Sequence, residues 1–358
     1  MLEDDDYNFD ELQKNLRGNL LRWNRNTVAL PIGQPQYALL GNREMLEEYQ
    51  IEMPQTWEEF NQLLDELAAT NRLGEDVELF RQPGGSGSFA ENLILRAAAY
   101  VVTPGRYSTY FDVESMEPLI DSAPFQRALD ELVASSSYSR FGGNKDNFAT
   151  FTAGKTLFAL TIPMNSSVED SDQTGFVEQL PISVAKVPVS KFRYDYSRST
   201  WISREELAPI YYSGFHGFLA GIDANTENKV MAQEFLVWLG SKRTLNSISS
   251  VAPQLGTARS SQIAMIDQWV GEQLDNEAIT EYSSVVENAT NASLAIEWVQ
   301  LKSSGDYISA LDRAIESAIN GDVDSASALS NCKKQWQQIT DGIGRDQQKS
   351  SYRAGTGF

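Results

Sequence analysis

Histidine and cysteine are nearly absent from this sequence of 358 residues, because His216 is the only histidine and Cys332 the only cysteine. A single cysteine excludes an internal disulfide and any metal site built on several thiolates. A single histidine excludes multi-histidine metal sites, the HExxH motif and histidine relays. We therefore expect neither a bound metal nor another cofactor.

Basic residues are also scarce, with 29 Lys and Arg against 49 Asp and Glu and a net charge of −20. Binding a polyphosphate requires a cluster of basic side chains, so nucleic acid is not expected as a partner. No apolar run approaches the roughly 20 residues that cross a bilayer. The first residues, MLEDDDYNFDE, are acidic and lack the basic and then apolar pattern of a secretory signal.

What is present is the composition of a folded protein, with 41% hydrophobic and 22% charged residues. The length predicts two or three domains, or two lobes that share crossing segments. Apolar runs typical of strands or extended segments cover residues 28–32, 36–40, 156–163, 182–187 and 215–222. Because these runs alternate with long helical stripes, they indicate an α/β architecture.

The helices are marked by apolar stripes and capping residues. The clearest follows Thr56, which can cap the first turn while Glu59 returns a hydrogen bond, and its stripe is Trp57, Phe60, Leu63, Leu64 and Leu67. A later helix follows Thr226 and ends at Gly240, and its inward face is predicted to hold Val230, Met231, Phe235, Trp238 and Leu239. Residues 343–358 are polar, lack a stripe and are expected to form a flexible tail.

Two segments come close to a catalytic or a nucleotide-binding motif, but each lacks a residue that its motif requires. Residues 153–156 (AGKT) end like a phosphate-binding loop, but Ala149 stands where that motif requires its first glycine, and a strand follows instead of a helix. Residues 84–88 (GGSGS) lack the last glycine of a nucleophile elbow. They predict a loop that opens a helix whose amides could meet a ligand's oxygens. His216 is expected to be a hydrogen-bonded polar side chain, and Cys332 a small buried hydrophobe.

Aromatic residues are predicted at the ends of helices and strands, where they could line a cleft: Tyr37, Phe89, Tyr211, Tyr212, Phe215 and Tyr307. Aromatic rings stack on the C–H faces of sugars, and amides bind sugar hydroxyls. Together with Gln34, Gln36 and Asn165, these residues fit a polyol site, although ordinary core edges give the same pattern. Paired carboxylates for glycoside hydrolysis also stay open, because 49 acidic residues offer too many pairs to discriminate.

Several segments, in order, resemble the extracellular solute-binding proteins of carbohydrate ABC transporters, in the maltose-binding-protein group. They are residues 28–44, 53–60 (MPQTWEEF), 151–160 (FTAGKTLFAL), 214–239 and 251–260. Each segment is modest alone, but their order and spacing extend the resemblance over roughly residues 26–342.

The resemblance implies an α/β, two-lobe periplasmic-binding-protein-like (type II) fold with hinge-crossing segments, in which the lobes close on a sugar. Residues 1–33 and 218–295 would form the first lobe, and residues 36–212 and 298–342 the second. The resemblance begins almost at the first crossing, so the first lobe is expected to lack its leading strands.

By the same resemblance, ligand-binding residues are expected at Gln34, Gln36, Tyr37, Ser88, Phe89, Asn165, Phe215, His216 and Tyr307. The implied function is that of a non-catalytic, monomeric binding protein, periplasmic or extracellular and with or without a lipid anchor. It would deliver a sugar or related polyol to the permease of an ABC importer. Two alternatives remain open: a glycosidase that uses paired carboxylates, and a degenerate relative whose lobes serve as a scaffold for protein contacts.

Overall fold

The computed structural model describes residues 7–18, 21–24, 26–74, 76–85, 87–104, 108–163, 180–268, 270 and 274–356. The helices are α1 (Arg43–Glu48), α2 (Trp57–Thr70), α3 (Phe89–Val101), α4 (Ala123–Ser135), α5 (Asn144–Thr150), α6 (Lys229–Leu239), α7 (Lys242–Val251), α8 (Ser260–Ile263), α9 (Asn276–Thr290), α10 (Ser304–Ile319), α11 (Ser325–Ile343) and α12 (Arg345–Thr356). The strands are β1 (Arg22–Trp23), β2 (Asn26–Thr27), β3 (Ala29–Gly33), β4 (Ala38–Asn42), β5 (Glu78–Pro83), β6 (Ser139–Gly142), β7 (Thr156–Thr161), β8 (Ile182–Lys186), β9 (Phe192–Asp195), β10 (Thr200–Ser203), β11 (Ile210–Ser213), β12 (Phe218–Gly221) and β13 (Leu294–Glu297).

Helix α2 shows how closely the sequence specifies its local structure. The side chain of Thr56 accepts a hydrogen bond from the amide of Glu59 at 3.2 Å, as the capping pattern predicts. The stripe side chains Trp57, Phe60 and Leu64 are fully buried. An N-cap and one apolar face are therefore sufficient to begin this helix and to orient it on the core.

A five-stranded mixed sheet forms from strands between residues 38 and 186, with strand order β6-β5-β7-β4-β8. Strands β6, β5 and β7 are parallel, and β4 runs antiparallel to both of its neighbours. Successive side chains of a strand point to opposite faces. Accordingly, Leu39 of β4 belongs to the large core on one face and Leu40 to a second core on the other.

The large core and the second core sandwich this sheet. The large core packs α2, α3, α4, α10 and α11 on one face, and includes Phe80, Leu93, Leu129, Leu311 and Trp336. The second core packs α9 on the other face through Tyr282 and Val286. The resemblance assigns α9 to the first lobe (residues 218–295). In the structure α9 packs on this sheet, where Glu281 accepts a hydrogen bond from the amide of Val184 at 2.7 Å, and its last turn contributes Ala289 to a third core.

A third, smaller core lies outside the sheet. Its buried side chains come from residues 7–30, from α6 and α7, and from β11, the segment before α8 and the end of α9, and they include Tyr7, Leu12, Leu30, Leu236 and Leu245. Strand β3 pairs antiparallel with β12 in a two-stranded sheet beside it. The early and late segments that are expected to share a lobe therefore contact each other in this core, and the division of the chain into two lobes stays a prediction.

Helix α6 differs from its prediction in the face that it buries. It begins after Asn228, not Thr226, and ends at Gly240 as expected. Leu236 is buried in the third core, and Leu239 of the predicted inward stripe packs against that core, whereas the other four residues of the stripe face solvent: Val230 (71% exposed), Met231 (69%), Phe235 (54%) and Trp238 (58%). These four residues are called the α6 face below. The four side chains share one face of the helix, but among the described residues this face is exposed to solvent.

The C-terminal segment also differs from expectation, because residues 345–356 form α12 and not a flexible tail. Tyr352 is buried and packs edge-on against Phe111 at 5.6 Å between ring centroids. The side-chain amide of Gln348 donates to the carbonyl of Lys302 and to the hydroxyl of Tyr307, each at 3.0 Å. Polar side chains and a single tyrosine dock this helix, so an apolar-stripe criterion does not detect it.

Two further predictions concern single residues and membrane spans. Cys332, on α11, is fully buried as expected, and burial raises the pKa of its thiol. Within the described ranges, no helix combines the length and apolar character that a bilayer crossing requires.

Candidate functional site

Three chain segments cross between the third core and the sheet region side by side. The first follows β3, the second connects β11 to β12, and the third follows β13. Strand β12 begins opposite Gly33, and β11 pairs in parallel with β13. The amide of Trp298 donates to the carbonyl of Ser213 at 2.8 Å, which ties the third crossing to the second.

Gln34 fastens the first crossing to the second. Its side-chain amide donates to the carbonyl of Phe215 at 2.6 Å, and its side-chain oxygen accepts from the amide of Gly214 at 2.9 Å. A Cβ atom at Gly217 would lie 2.4 Å from that oxygen, so a larger residue there would displace the end of the Gln34 side chain. Gln34, an expected ligand contact, is 1% exposed, and its side-chain amide joins the two crossings.

Four polar side chains converge where these crossings meet the sheet: Tyr37, Glu91, Asn144 and His216, the polar cluster below. The Nε2 atom of His216 lies 2.8 Å from a carboxylate oxygen of Glu91, 3.1 Å from the Asn144 amide nitrogen and 3.4 Å from the Tyr37 hydroxyl. The Asn144 amide also donates to that hydroxyl at 2.6 Å. Tyr37 and Glu91 are buried, whereas 45% of the His216 side chain is exposed.

The charge state of the polar cluster follows from these contacts. The hydrogen bond to Glu91 raises the pKa of His216 above its ordinary value of 6.5, although burial acts in the opposite direction. Burial and the nearby Glu91 carboxylate raise the pKa of Tyr37. The Tyr37 phenol is therefore neutral at neutral pH, and the contact with Glu91 favours the protonated form of His216.

Backbone geometry positions each of these side chains. His216 has a φ of 55°, a left-handed conformation that is uncommon outside glycine, within the second crossing. Glu91 lies in the first turn of α3, and Asn144 is the first residue of α5. Thr161 at the end of β7 donates to the Asn144 carbonyl at 3.0 Å, so the sheet fixes the start of α5.

The start of α3 is occupied from within the protein. The carboxylate of Asp312 accepts hydrogen bonds from the amides of Gly87 at 2.7 Å and Ala90 at 2.9 Å. Both amides lie in the loop and first turn that were expected to bind a ligand's oxygens. The carboxylate of Asp312 accepts their hydrogen bonds in place of a ligand. Ser88 remains half-buried as the residue before the helix, and Phe89 packs against Phe141 at 5.2 Å.

The structure brings Tyr37 and His216 together, and places the other predicted residues elsewhere. Phe215 is buried against Tyr212 and Trp298, and Gln36 is buried with its carbonyl accepting from Tyr282 at 3.2 Å. Tyr307 is fully buried in the large core and bonds through its hydroxyl to Thr340 and Gln348, so it does not reach the cluster. Asn165 lies outside the described residues.

Glu91 and Asn144 were not among the expected site residues. Glu91 is an acidic residue between Ala90 and Asn92 near the start of α3, in a chain that has one histidine with which it could pair. Asn144 follows two glycines, Gly142 and Gly143, where helix starts and ligand contacts are common. Both signals are visible in the sequence, but neither shows which partner the side chain meets.

The polar cluster offers hydrogen-bond donors and acceptors, but only one carboxylate, which is already bonded to His216. Glycoside hydrolysis requires two carboxyl groups facing each other across a cleft at about 5–9.5 Å. In the part of the chain that the structure describes, no group of three His, Cys, Asp or Glu side chains is placed to hold a metal ion. The arrangement suits recognition of hydroxyl groups.

Comparison with solved structures finds the same architecture over nearly the whole chain. Maltose-bound MalE3 of T. maritima matches with a TM-score of 0.65 at 16% identity, over 93% of this chain and 78% of that one. The chain has the fold of ABC-transporter solute-binding proteins. A solute-binding protein of Agrobacterium vitis with bound D-mannitol matches with a TM-score of 0.64 at 16% identity, over 96% and 79%.

A third match is a solute-binding protein of Agrobacterium radiobacter in complex with ribitol, with a TM-score of 0.65 at 14% identity, over 93% of this chain and 77% of that one. No protein-family model matches the sequence, and neither does any curated protein. The shared fold is therefore visible in three dimensions at identities where sequence comparison finds no relative.

Proposed function

We propose that this protein is a non-catalytic binding protein that encloses a sugar or related polyol between two lobes and delivers it to an ABC importer. The observation that carries the proposal is the polar cluster, which lies at the crossings of a fold whose solved examples hold maltose, mannitol and ribitol. The permease as partner, the monomeric state and a periplasmic or extracellular location follow from the same likeness.

The polar cluster supplies directional contacts for an uncharged, hydroxyl-rich ligand. Glu91 accepts a hydrogen bond from Nε2 of His216 and raises the pKa of the imidazole, which leaves Nδ1 for a ligand oxygen. The Asn144 side chain can accept and donate, and the Tyr37 hydroxyl can do either. Hydrogen bonds to charged groups are worth about 1.5–3 kcal/mol, so the protonated form of His216 would bind a ligand oxygen more strongly than the neutral form.

Binding alone is then a sufficient mechanism. A ligand that touches both lobes has a higher affinity for the closed form, and it shifts the equilibrium toward closure by that difference in affinity. His216 is well placed to respond, because it lies on a crossing segment and contacts α3 and α5 of the second lobe. The permease would recognise the closed form.

We also propose that the α6 face is an inner surface of the first lobe, covered by additional first-lobe polypeptide. Four large apolar side chains on one helix are exposed there, more than a folded surface normally presents together. The three matched structures support this, since 78%, 79% and 77% of their chains are covered and about a fifth has no counterpart among these residues.

The proposed function is tested by calorimetric titration with maltose, mannitol and ribitol. We expect at least one to bind, and Asn144→Ala to weaken it about tenfold, because one or two net hydrogen bonds of about 1 kcal/mol are lost. Asn288→Ala is the matched control, since Asn288 is exposed on α9 and bonds only its neighbour Ser284. Failure of every sugar and polyol to bind, or turnover of aryl glycosides, would contradict the proposal.

A further inference from the structure

The loop before α3 holds an anion that the protein itself supplies. The amide of Gly87 donates to one carboxylate oxygen of Asp312 at 2.7 Å, and the amide of Ala90 donates to the other at 2.9 Å. Backbone amides at the start of a helix bind free carboxylates and phosphates in the same way. The loop and the first turn of α3 therefore form an anion-binding arrangement, and Asp312 is its occupant.

The loop is open to solvent, whereas its occupant is not. Gly85 and Gly87 are exposed and have φ values of 90° and 87°, a left-handed conformation that favours glycine. Asp312 is 9% exposed. It lies on α10, 222 positions after Ala90, and the preceding residue, Leu311, is fully buried in the large core. Helix α10 therefore holds the carboxylate against a surface loop that a solute could otherwise reach.

The polar cluster begins one residue beyond these amides. Glu91 follows Ala90 in the first turn of α3, and the Cα atoms of neighbouring residues are about 3.8 Å apart. The carboxylate of Glu91 lies 2.8 Å from Nε2 of His216. A solute that binds the polar cluster is therefore next to two carboxylates, and Asp312 already holds the adjacent amides.

The other charges around the polar cluster do not favour an anion. His216 is the one basic side chain of the cluster, and it is already paired with Glu91. Lys145 and Asp146, at the start of α5, are both exposed and have opposite charges. Residues 164–179, which follow β7 in the chain, contain four acidic residues and no lysine or arginine. Each basic side chain in this set is therefore offset by an acidic one.

We propose that Asp312 restricts the site to uncharged solutes, because its carboxylate occupies the amides that would otherwise bind a phosphate or acid group. This rests on the proposed function and narrows its ligands to sugars and polyols without such a group. An anionic solute would have to displace Asp312 and leave a buried carboxylate without its two donors, which is unfavourable. Asp312 thus determines specificity from α10, outside the polar cluster.

The first test compares uncharged solutes with their phosphate esters by calorimetric titration of the full chain. The pairs are mannitol with mannitol 1-phosphate, ribitol with ribitol 5-phosphate, and maltose with maltose 1-phosphate. We expect the unmodified protein to bind the uncharged form about 100-fold more tightly, because the ester finds no donors for its charge. Asp312→Ala frees both amides and should lower that preference about tenfold. Asp312→Asn removes the charge, keeps the size of the side chain and should lower the preference in the same direction.

Asp324→Ala is the matched control for an acidic residue at a helix start. The exposed carboxylate of Asp324 accepts a hydrogen bond from the amide of Ser327 at 2.6 Å in the first turn of α11. Its removal also frees an amide, but on a helix that contributes no residue to the polar cluster, so the preference should not change. Equal affinity of the unmodified protein for a solute and its ester, or an unchanged preference in both Asp312 variants, would overturn the inference.

The second test needs no sugar, because formate is the carboxylate that Asp312→Ala lacks. At about 100 mM, sodium formate should raise the Tm of Asp312→Ala by about 1–2 °C relative to sodium chloride, and raise that of the unmodified protein and of Asp324→Ala by less. If Asp312→Ala folds poorly, the yields of refolded protein in formate and in chloride are compared instead. The absence of a formate effect specific to Asp312→Ala would overturn the inference, whereas failure of every uncharged solute to bind would contradict the proposed function instead.

Discussion

Replacing Gln34 by alanine tests whether its side chain holds the first and second crossings together. The substitution removes the donor to the Phe215 carbonyl and the acceptor for the Gly214 amide, together with a third bond to the Pro35 carbonyl at 3.1 Å. Gln34 is 1% exposed, so water cannot readily replace it. A buried polar group without a partner costs about 1–3 kcal/mol. The Phe215 carbonyl is buried and the Gly214 amide only half-buried, so we expect a loss of roughly 2–4 kcal/mol in the free energy of unfolding.

The assay is urea unfolding of the unmodified protein and of Gln34→Ala. Linear extrapolation gives the free energy of unfolding, and the slope against urea concentration is compared to check that both proteins unfold by the same mechanism. Gln126→Ala is the matched control, because its side-chain amide makes one half-buried bond, to the Asp121 carbonyl at 2.8 Å. That control should cost about 0.5–1.5 kcal/mol. If Gln34→Ala destabilises the protein no more than Gln126→Ala does, the crossings are held together by other contacts and the reasoning is refuted.

Two more predictions concern the polar cluster and the α6 face. Glu91→Gln should lower the pKa of His216, which NMR can measure directly because the chain has one histidine. The Glu91–His216 pair stabilises the fold below pH 6.5, and that contribution is lost as the pH rises through the raised pKa of His216. An unchanged midpoint would show that Glu91 does not set the charge of His216. On α6, Trp238→Lys should reduce aggregation and dye binding with little change in thermal stability, whereas Leu236→Lys should cost several kcal/mol, about 3 or more, by placing a charge in the third core. Greater destabilisation by Trp238→Lys than by Leu236→Lys would mean that α6 buries the opposite face.

Local signals in the sequence predict the elements that depend on local physics. The Thr56 cap and its stripe define α2, and the apolar runs at residues 28–32 and 36–40 become β3 and β4. Strand β7 begins at Thr156, as the apolar run predicts, whereas a phosphate-binding loop would lead into a helix. In each case the residues that decide the structure are within one element.

What the sequence could not predict depends on partners far away in the chain. The α6 stripe has the right period, but periodicity does not show whether anything covers it. Tyr307 looks like a cleft aromatic near a helix start, yet the hydroxyl of Thr340 and the amide of Gln348 draw it into the large core. Glu91 joins the polar cluster only because the second crossing brings His216 back to α3 from 125 positions later, and such a return has no local signature.

The third core has a consequence for how the polypeptide acquires its structure. Gln13 and Thr257, whose side chains are bonded at 2.6 Å, are 244 residues apart. On the ribosome, Tyr7, Leu12 and Leu30 emerge long before Leu245 exists, so their apolar surfaces wait without their native neighbours. Contacts of such long range form slowly because a long loop must close first. Co-translational chaperones that shield apolar segments should therefore matter most for the first thirty residues, and this region should be the last to gain protection from proteases during refolding.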